Sequence, residues 1–116
     1  VDTNMVLIDF TQRFIDFDTG KEVESPMENE DYLTLGSITT RALMTTLEGD
    51  KDDGDKKLDR YILATKIKVE GKDGAIDIES KEIQQIKALV GGMYSIVIVG
   101  QAFPMLEGKE PEKVDE

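Results

Sequence analysis

Apolar and polar positions are spread unevenly along this chain. Residues 88–106, ALVGGMYSIVIVGQAFPML, form 19 consecutive positions without a charge, whereas everything earlier alternates short apolar runs with acids and glycines. Residues 5–10, MVLIDF, read as a strand on their β-branched and aromatic content. Residues 13–17, RFIDF, alternate and lead into Asp18-Thr19-Gly20-Lys21, after which residues 22–24 return. That pattern predicts a β-hairpin around residues 18–20, with Gly20 supplying the positive φ of a tight turn. Residues 25–31, with Pro26 and a run of acids, read as a loop.

Helical spacing follows. Ser37 is a reasonable N-cap for a helix that would bury Leu35, Ile38, Ala42 and Thr45 or Thr46, with Leu43 and Leu47 widening the face. Residues 48–55 hold acids and two glycines and read as a solvated connector. A second helix is predicted from Asp55 or Lys56, with Leu58, Tyr61, Ile62, Thr65 and Val69 as its apolar face. A turn at 70–74 and a strand at 75–79, AIDIE, come next. Ser80 would cap a third helix with Glu82 in its first turn and a stripe of Ile83, Ile86 and Val90, flanked by Leu89 and Met93; Gly91-Gly92 would end it.

The uncharged stretch admits three structures. A membrane-spanning helix needs ~20 apolar residues. Glycines, Ser95, Gln101 and Pro104 interrupt this run, and no basic cluster flanks it, so the span is the weakest reading. Four β-branched residues, Ile96 to Val99, favour a buried strand. A helix capped by Ser95 and ended or kinked at Pro104 fits as well, and periodicity does not separate the two in so short a run.

Composition narrows the chemistry. The 116 residues suit one domain, and the aromatic content of 6% with no Trp implies an aliphatic core. The net charge of −11 repels a nucleic-acid backbone and an anionic membrane surface, so neither is an expected partner. Without Cys or His the chain lacks thiolate metal sites, the commonest general base and the best nucleophile. The Asp/Gly loops fail the calcium-loop pattern, because aligning Gly54 to its glycine puts Arg60 where a glutamate is needed. No enzyme, cofactor or metal is therefore expected. The amino end has no signal-peptide pattern, which points to a cytoplasmic setting. Glu28, Glu30, Asp31, Asp50, Asp52, Asp53 and Asp55 are candidate partner-binding acids, able to imitate a phosphate track and occupy a basic nucleic-acid-binding protein; ordinary solvation is the blander role for such a run. Tyr94 and Phe103 are candidate contacts if the uncharged stretch stays exposed, in which case a homo-oligomer is expected.

Several segments taken together resemble small proteins encoded in tailed-phage and prophage genomes: LTLGSI at 33–38, RYILATKI at 60–67, residues 82–91 from Glu82 through Gly91, then Tyr94 and VIVGQA at 97–102. The resemblance implies a viral, non-enzymatic setting and a final pair of helices joined near Tyr94; it transfers no site residues. The expected fold is accordingly α+β: an amino-terminal β-hairpin followed by a mainly helical bundle of three to four helices, with residues 1–107 as one domain, 108–116 as a disordered acidic tail, and the final helix buried. The expected function is a non-catalytic protein-binding module acting in particle assembly or as an accessory to a viral or host protein. The alternative is the acidic nucleic-acid mimic.

Overall fold

A computed structural model describes residues 5–26, 31–46, 49 and 51–108. In chain order the elements are β1 (Met5–Asp9), α1 (Leu35–Met44), α2 (Gly54–Glu70), β2 (Ala75–Glu79), α3 (Ser80–Met93) and α4 (Ile96–Leu106). The class is α+β with a four-helix bundle, as the sequence predicts.

β1 and β2 form one antiparallel pair in the register Met5↔Glu79, Leu7↔Asp77, Asp9↔Ala75. Alternation then turns Ile8 and Ile78 fully inward and leaves Leu7 and Asp77 outside. The chain between residues 10 and 34 carries isolated bridges. Asp16 N–H donates to Lys21 O at 2.7 Å, Gly20 has φ +72°, and Ile15 bridges Glu22, so the predicted turn forms. Val23 N–H donates to Phe14 O, Phe14 N–H to Leu33 O and Leu33 N–H to Val23 O, so three extended segments meet at the buried Phe14. The hairpin is thus a loosely bridged loop, and the regular ladder is the long-range β1–β2 pair.

The core gathers Ile8, Phe10 and Phe14 with Leu35, Ile38, Ala42 and Leu43 of α1, Leu63 and Ile67 of α2, Ile83, Ile86 and Val90 of α3, and Ala102, Met105 and Leu106 of α4. α1 packs on α2 and α3, and α4 on α3 and β1. Two glycines let Phe10 sit close. Gly36 N–H donates to Phe10 O at 2.9 Å, and a Cβ at Gly71 would lie 2.6 Å from Ile67 O and 3.4 Å from the Phe10 side chain.

Four helix boundaries and faces differ from expectation. α1 is capped by Thr34, whose hydroxyl accepts from Ser37 N–H, so Ser37 is inside the helix. α3 begins at Ser80 itself: Glu79 is the N-cap residue, and its N–H donates to the Glu82 carboxylate at 3.1 Å. α3 also runs through Gly91 and Gly92 to Met93, because burial of Val90 and packing of Phe103 against Gly91 outweigh the ~1 kcal/mol helix penalty of each glycine. The uncharged stretch forms a helix from Ile96, with Ser95 at the N-cap position but making no cap hydrogen bond; it continues two residues past Pro104 and stops at Leu106, and Gly108 beyond its cap has φ +76°. Its burial is partial. Ala102, Met105 and Leu106 are enclosed, whereas Ile96 is 90% exposed and Val97 is also outside. The tail expected at 108–116 lies outside the described residues beyond Gly108. Among the described residues, no helix is long and apolar enough to cross a membrane.

Candidate functional site

α2 carries two apolar stripes, and the fold buries only one. Asp53 starts the helix by accepting from Lys56 N–H at 3.0 Å, and Asp55 adds a negative charge in the first turn where the dipole favours it. Positions 60, 63, 64 and 67 face inward as Arg60, Leu63, Ala64 and Ile67. Positions 58, 61, 62 and 69 face solvent as Leu58 (55% exposed), Tyr61 (56%), Ile62 (56%) and Val69 (59%), with Thr65 exposed among them. This is the face expected in the core, and the structure reverses it.

Arg60 explains the reversal. Its guanidinium is 3% exposed and is spent on the carboxyl end of α1: Nε donates to Leu43 O at 3.0 Å, and Nη2 donates to Thr45 O at 2.7 Å and Ala42 O at 3.3 Å. Nη1 pairs with Asp52 at 3.1 Å. The last carbonyls of a helix lack partners within it, and a buried arginine saturates them while its charge is compensated. With Arg60 pinned under α1, Leu63, Ala64 and Ile67 turn into the core and the more hydrophobic-looking stripe turns out.

Two grooves flank the exposed stripe. Between α1 and α2, a groove of about 750 Å³ is edged by Arg13, Arg41, Lys68 and Lys72, against a single acid, Asp31. Met44 and Tyr61 stand on its rim, both more than half exposed. Arg13 is fixed there by a 3.0 Å ion pair with Glu22 and by stacking 4.3 Å from the Tyr32 ring centre. The groove does not use the α1 amino terminus as an anion site, because Leu35, Gly36, Ser37 and Ile38 N–H donate to Gln12 O, Phe10 O, Thr34 Oγ1 and Thr34 O. On the opposite flank of α2, a second groove of about 560 Å³ is edged by Asp52, Asp59, Glu79 and Glu82 with Lys56 and Lys81.

The predicted contact residues scatter. Asp31 lines the basic groove, Asp52 is engaged by Arg60, Asp53 caps α2, and Asp55 lies exposed in the first turn. Glu28, Glu30 and Asp50 lie outside the described residues. Phe103 is half-buried, with Lys87 Nζ 5.3 Å from its ring centre. Tyr94 is half-buried too, and its hydroxyl is enclosed without a hydrogen bond among the described residues. Burial pushes its pKa above the usual tyrosine value, and the nearby Arg41 guanidinium pulls partly back. Asp16 is a turn residue: its carboxylate accepts from Thr19 and Asp18 N–H, which holds its pKa below the ordinary range. Among the described residues no three acid, histidine or cysteine side chains gather as a metal site needs.

The exposed stripe was visible in the sequence as a helical repeat, but its direction was not. Comparison with protein-family models, with curated proteins and with solved structures finds no match for this chain.

Proposed function

We propose that this chain is a non-catalytic protein-binding module whose docking surface is the outer face of α2. One observation carries the reading: a three-turn stripe of Leu58, Tyr61, Ile62 and Val69 stays in water although the same helix has already supplied a complete core face. Large apolar side chains repeated along one helix face, rimmed by charge, are what partner surfaces look like. Tyrosine is also among the residues that carry most binding energy at interfaces. The lack of His and Cys supports a non-catalytic role. The likeness of residues 33–38, 60–67, 82–91, Tyr94 and 97–102 to tailed-phage and prophage proteins supports particle assembly, or service to a viral or host protein in the host cytoplasm, as the setting.

The acidic-mimic reading asks for a free row of carboxylates. Asp52 and Asp53 are occupied within the fold, by Arg60 and by the α2 amino terminus, which favours the helix-face reading over it.

Cross-linking mass spectrometry on the tagged chain in its native or infected cell tests the proposal. Cross-links from Lys57 and Lys68, three turns apart along one edge of the stripe, to one protein are expected, with loss of that protein in an Ile62→Asp variant of unchanged circular dichroism. Cross-links indifferent to Ile62→Asp would remove α2 as the docking surface.

A further inference from the structure

We infer that the groove between α1 and α2 holds an extended acidic segment of the partner protein, with an apolar side chain at one end and carboxylates at the other. This rests on the reading of α2 as a docking face, and Tyr61 joins the two, since it belongs to the exposed stripe and to the rim of the groove.

The groove has a direction. α1 and α2 run antiparallel along it: Arg60 reaches Leu43 O near one end, and Gly36 and Gly71 both lie against Phe10 at the other. Met44 and Tyr61 share the first end, each more than half exposed. Arg13, Lys68 and Lys72 gather toward the second, with Arg41 between; Lys72 lies in the turn after α2, which ends at Glu70. Acids on and around the lining do not cancel these cations. Asp31 lines the groove, and Glu22 compensates Arg13. Glu24 is bridged to Tyr32 on the Arg13 side, while Glu70 and Asp73 neighbour Lys72 in the chain and do not line the groove. Among the described residues Arg41, Lys68 and Lys72 form no ion pair.

The chain as a whole carries −11, so the groove is a local reversal of its sign. Long-range repulsion of an anion is screened beyond ~10 Å at 0.1 M salt, which leaves the contact surplus to hold it. The donors favour a peptide over a compact anion. A phosphate is best held by convergent backbone N–H groups, and those of the α1 amino terminus are occupied. The hydroxyls of Thr40 and Thr65 donate to Gly36 O at 2.8 Å and to Tyr61 O at 2.9 Å. What the groove offers is side-chain cations at separate points, which suits carboxylates spaced along a chain. From Tyr61 to Lys68 the helix rises ~10 Å, and about three extended residues at ~3.3 Å each cover that length.

Labelled peptides FGEEE and EEEGF, one for each chain direction, can be titrated with the full chain at low salt and followed by fluorescence anisotropy. One of them is expected to bind at roughly 10–100 μM and to weaken as salt rises. The lysine counterparts FGKKK and KKKGF should not bind. Lys68→Glu with Lys72→Glu changes two exposed positions; it should weaken binding roughly tenfold or more at unchanged circular dichroism. Met44→Ala should remove the advantage of the phenylalanine peptide over its all-glycine counterpart, GGEEE or EEEGG. Amide shifts of Thr40, Arg41, Thr65 and Lys68 should move on binding, and that of Gln85 in the second groove should not.

No binding of either acidic peptide up to about 1 mM would overturn the inference, as would binding indifferent to the double charge reversal. Inorganic phosphate moving the same amides at lower concentration than either peptide would make the groove a small-anion site and overturn it too. If the peptides fail while Ile62→Asp still loses its protein in the cell, the α2 face stands and only the groove is lost. If the peptides bind while Ile62→Asp loses nothing, the groove stands and the outer face of α2 is lost.

Discussion

Arg60 and Tyr94 show how single residues set or tax this fold. Arg60 both terminates α1 and orients α2, so Arg60→Ala would strand the carbonyls of Ala42, Leu43 and Thr45 and leave Asp52 without its cation. Leaving buried acceptors unsatisfied costs about 1–3 kcal/mol, and urea denaturation should register a loss of at least that size. Tyr94 works in the other direction. Its enclosed hydroxyl makes no hydrogen bond among the described residues, and a desolvated unpaired hydroxyl costs about 1–3 kcal/mol. Tyr94→Phe is therefore expected to raise stability by about 1 kcal/mol at neutral pH. Because the folded phenol titrates above 10.0, the pH-linked part of the stability is fully present below that value. The contribution is lost as pH rises through the folded pKa, since the unfolded chain ionises first. Denaturation curves at pH 7 and above pH 10 should show this alkaline loss in the native protein and a smaller one in Tyr94→Phe.

At the scale of elements, short-range chemistry and long-range contact divide the work. The turn at residues 16–21 is local: Asp16 gathers the N–H groups of Asp18 and Thr19, and Gly20 takes the left-handed backbone. Its carboxylate titrates below the usual 3.8, so the turn is favoured at all higher pH and loosens only as pH falls through the lowered folded value. Amide shifts of Asp18 and Thr19 followed by NMR should titrate together with a midpoint under 3.8. The loop is then fastened from a distance. Gln101 of α4 pairs with the Ile15 backbone through two hydrogen bonds, donating to Ile15 O at 2.8 Å and accepting from Ile15 N–H at 2.9 Å. A side-chain amide here does what a neighbouring strand would do. The final helix therefore serves the amino-terminal loop as well as the core, although nothing in the residues around Gln101 announces it.

For the whole molecule, the two faces of α2 make opposite forecasts. Leu63→Ala removes a buried side chain and is expected to cost about 2–5 kcal/mol. Ile62→Asp, one position away and equally apolar in the native chain, changes an exposed site and should stay within about 0.5 kcal/mol in the monomer. Urea denaturation of the two variants decides the orientation of the helix. A large loss for Ile62→Asp and a small one for Leu63→Ala would mean that α2 is turned the other way.

Much of this architecture is written locally. Alternation at 5–9 and 75–79, the turn at Asp16–Gly20 and the 83, 86, 90 stripe of α3 each follow from neighbouring residues, because strand pleat, turn dihedrals and helical pitch are properties of a short stretch of backbone. Three things were decided only by tertiary contact. β1 found its partner some 70 residues away, where Ile8 and Ile78 could share the same core. The uncharged run of α4 buried only its second half, since the core it packs against ends there. And α2, with apolar repeats on two sides, was oriented by one arginine reaching the open carbonyls of α1, an energetic preference that no pattern within α2 contains.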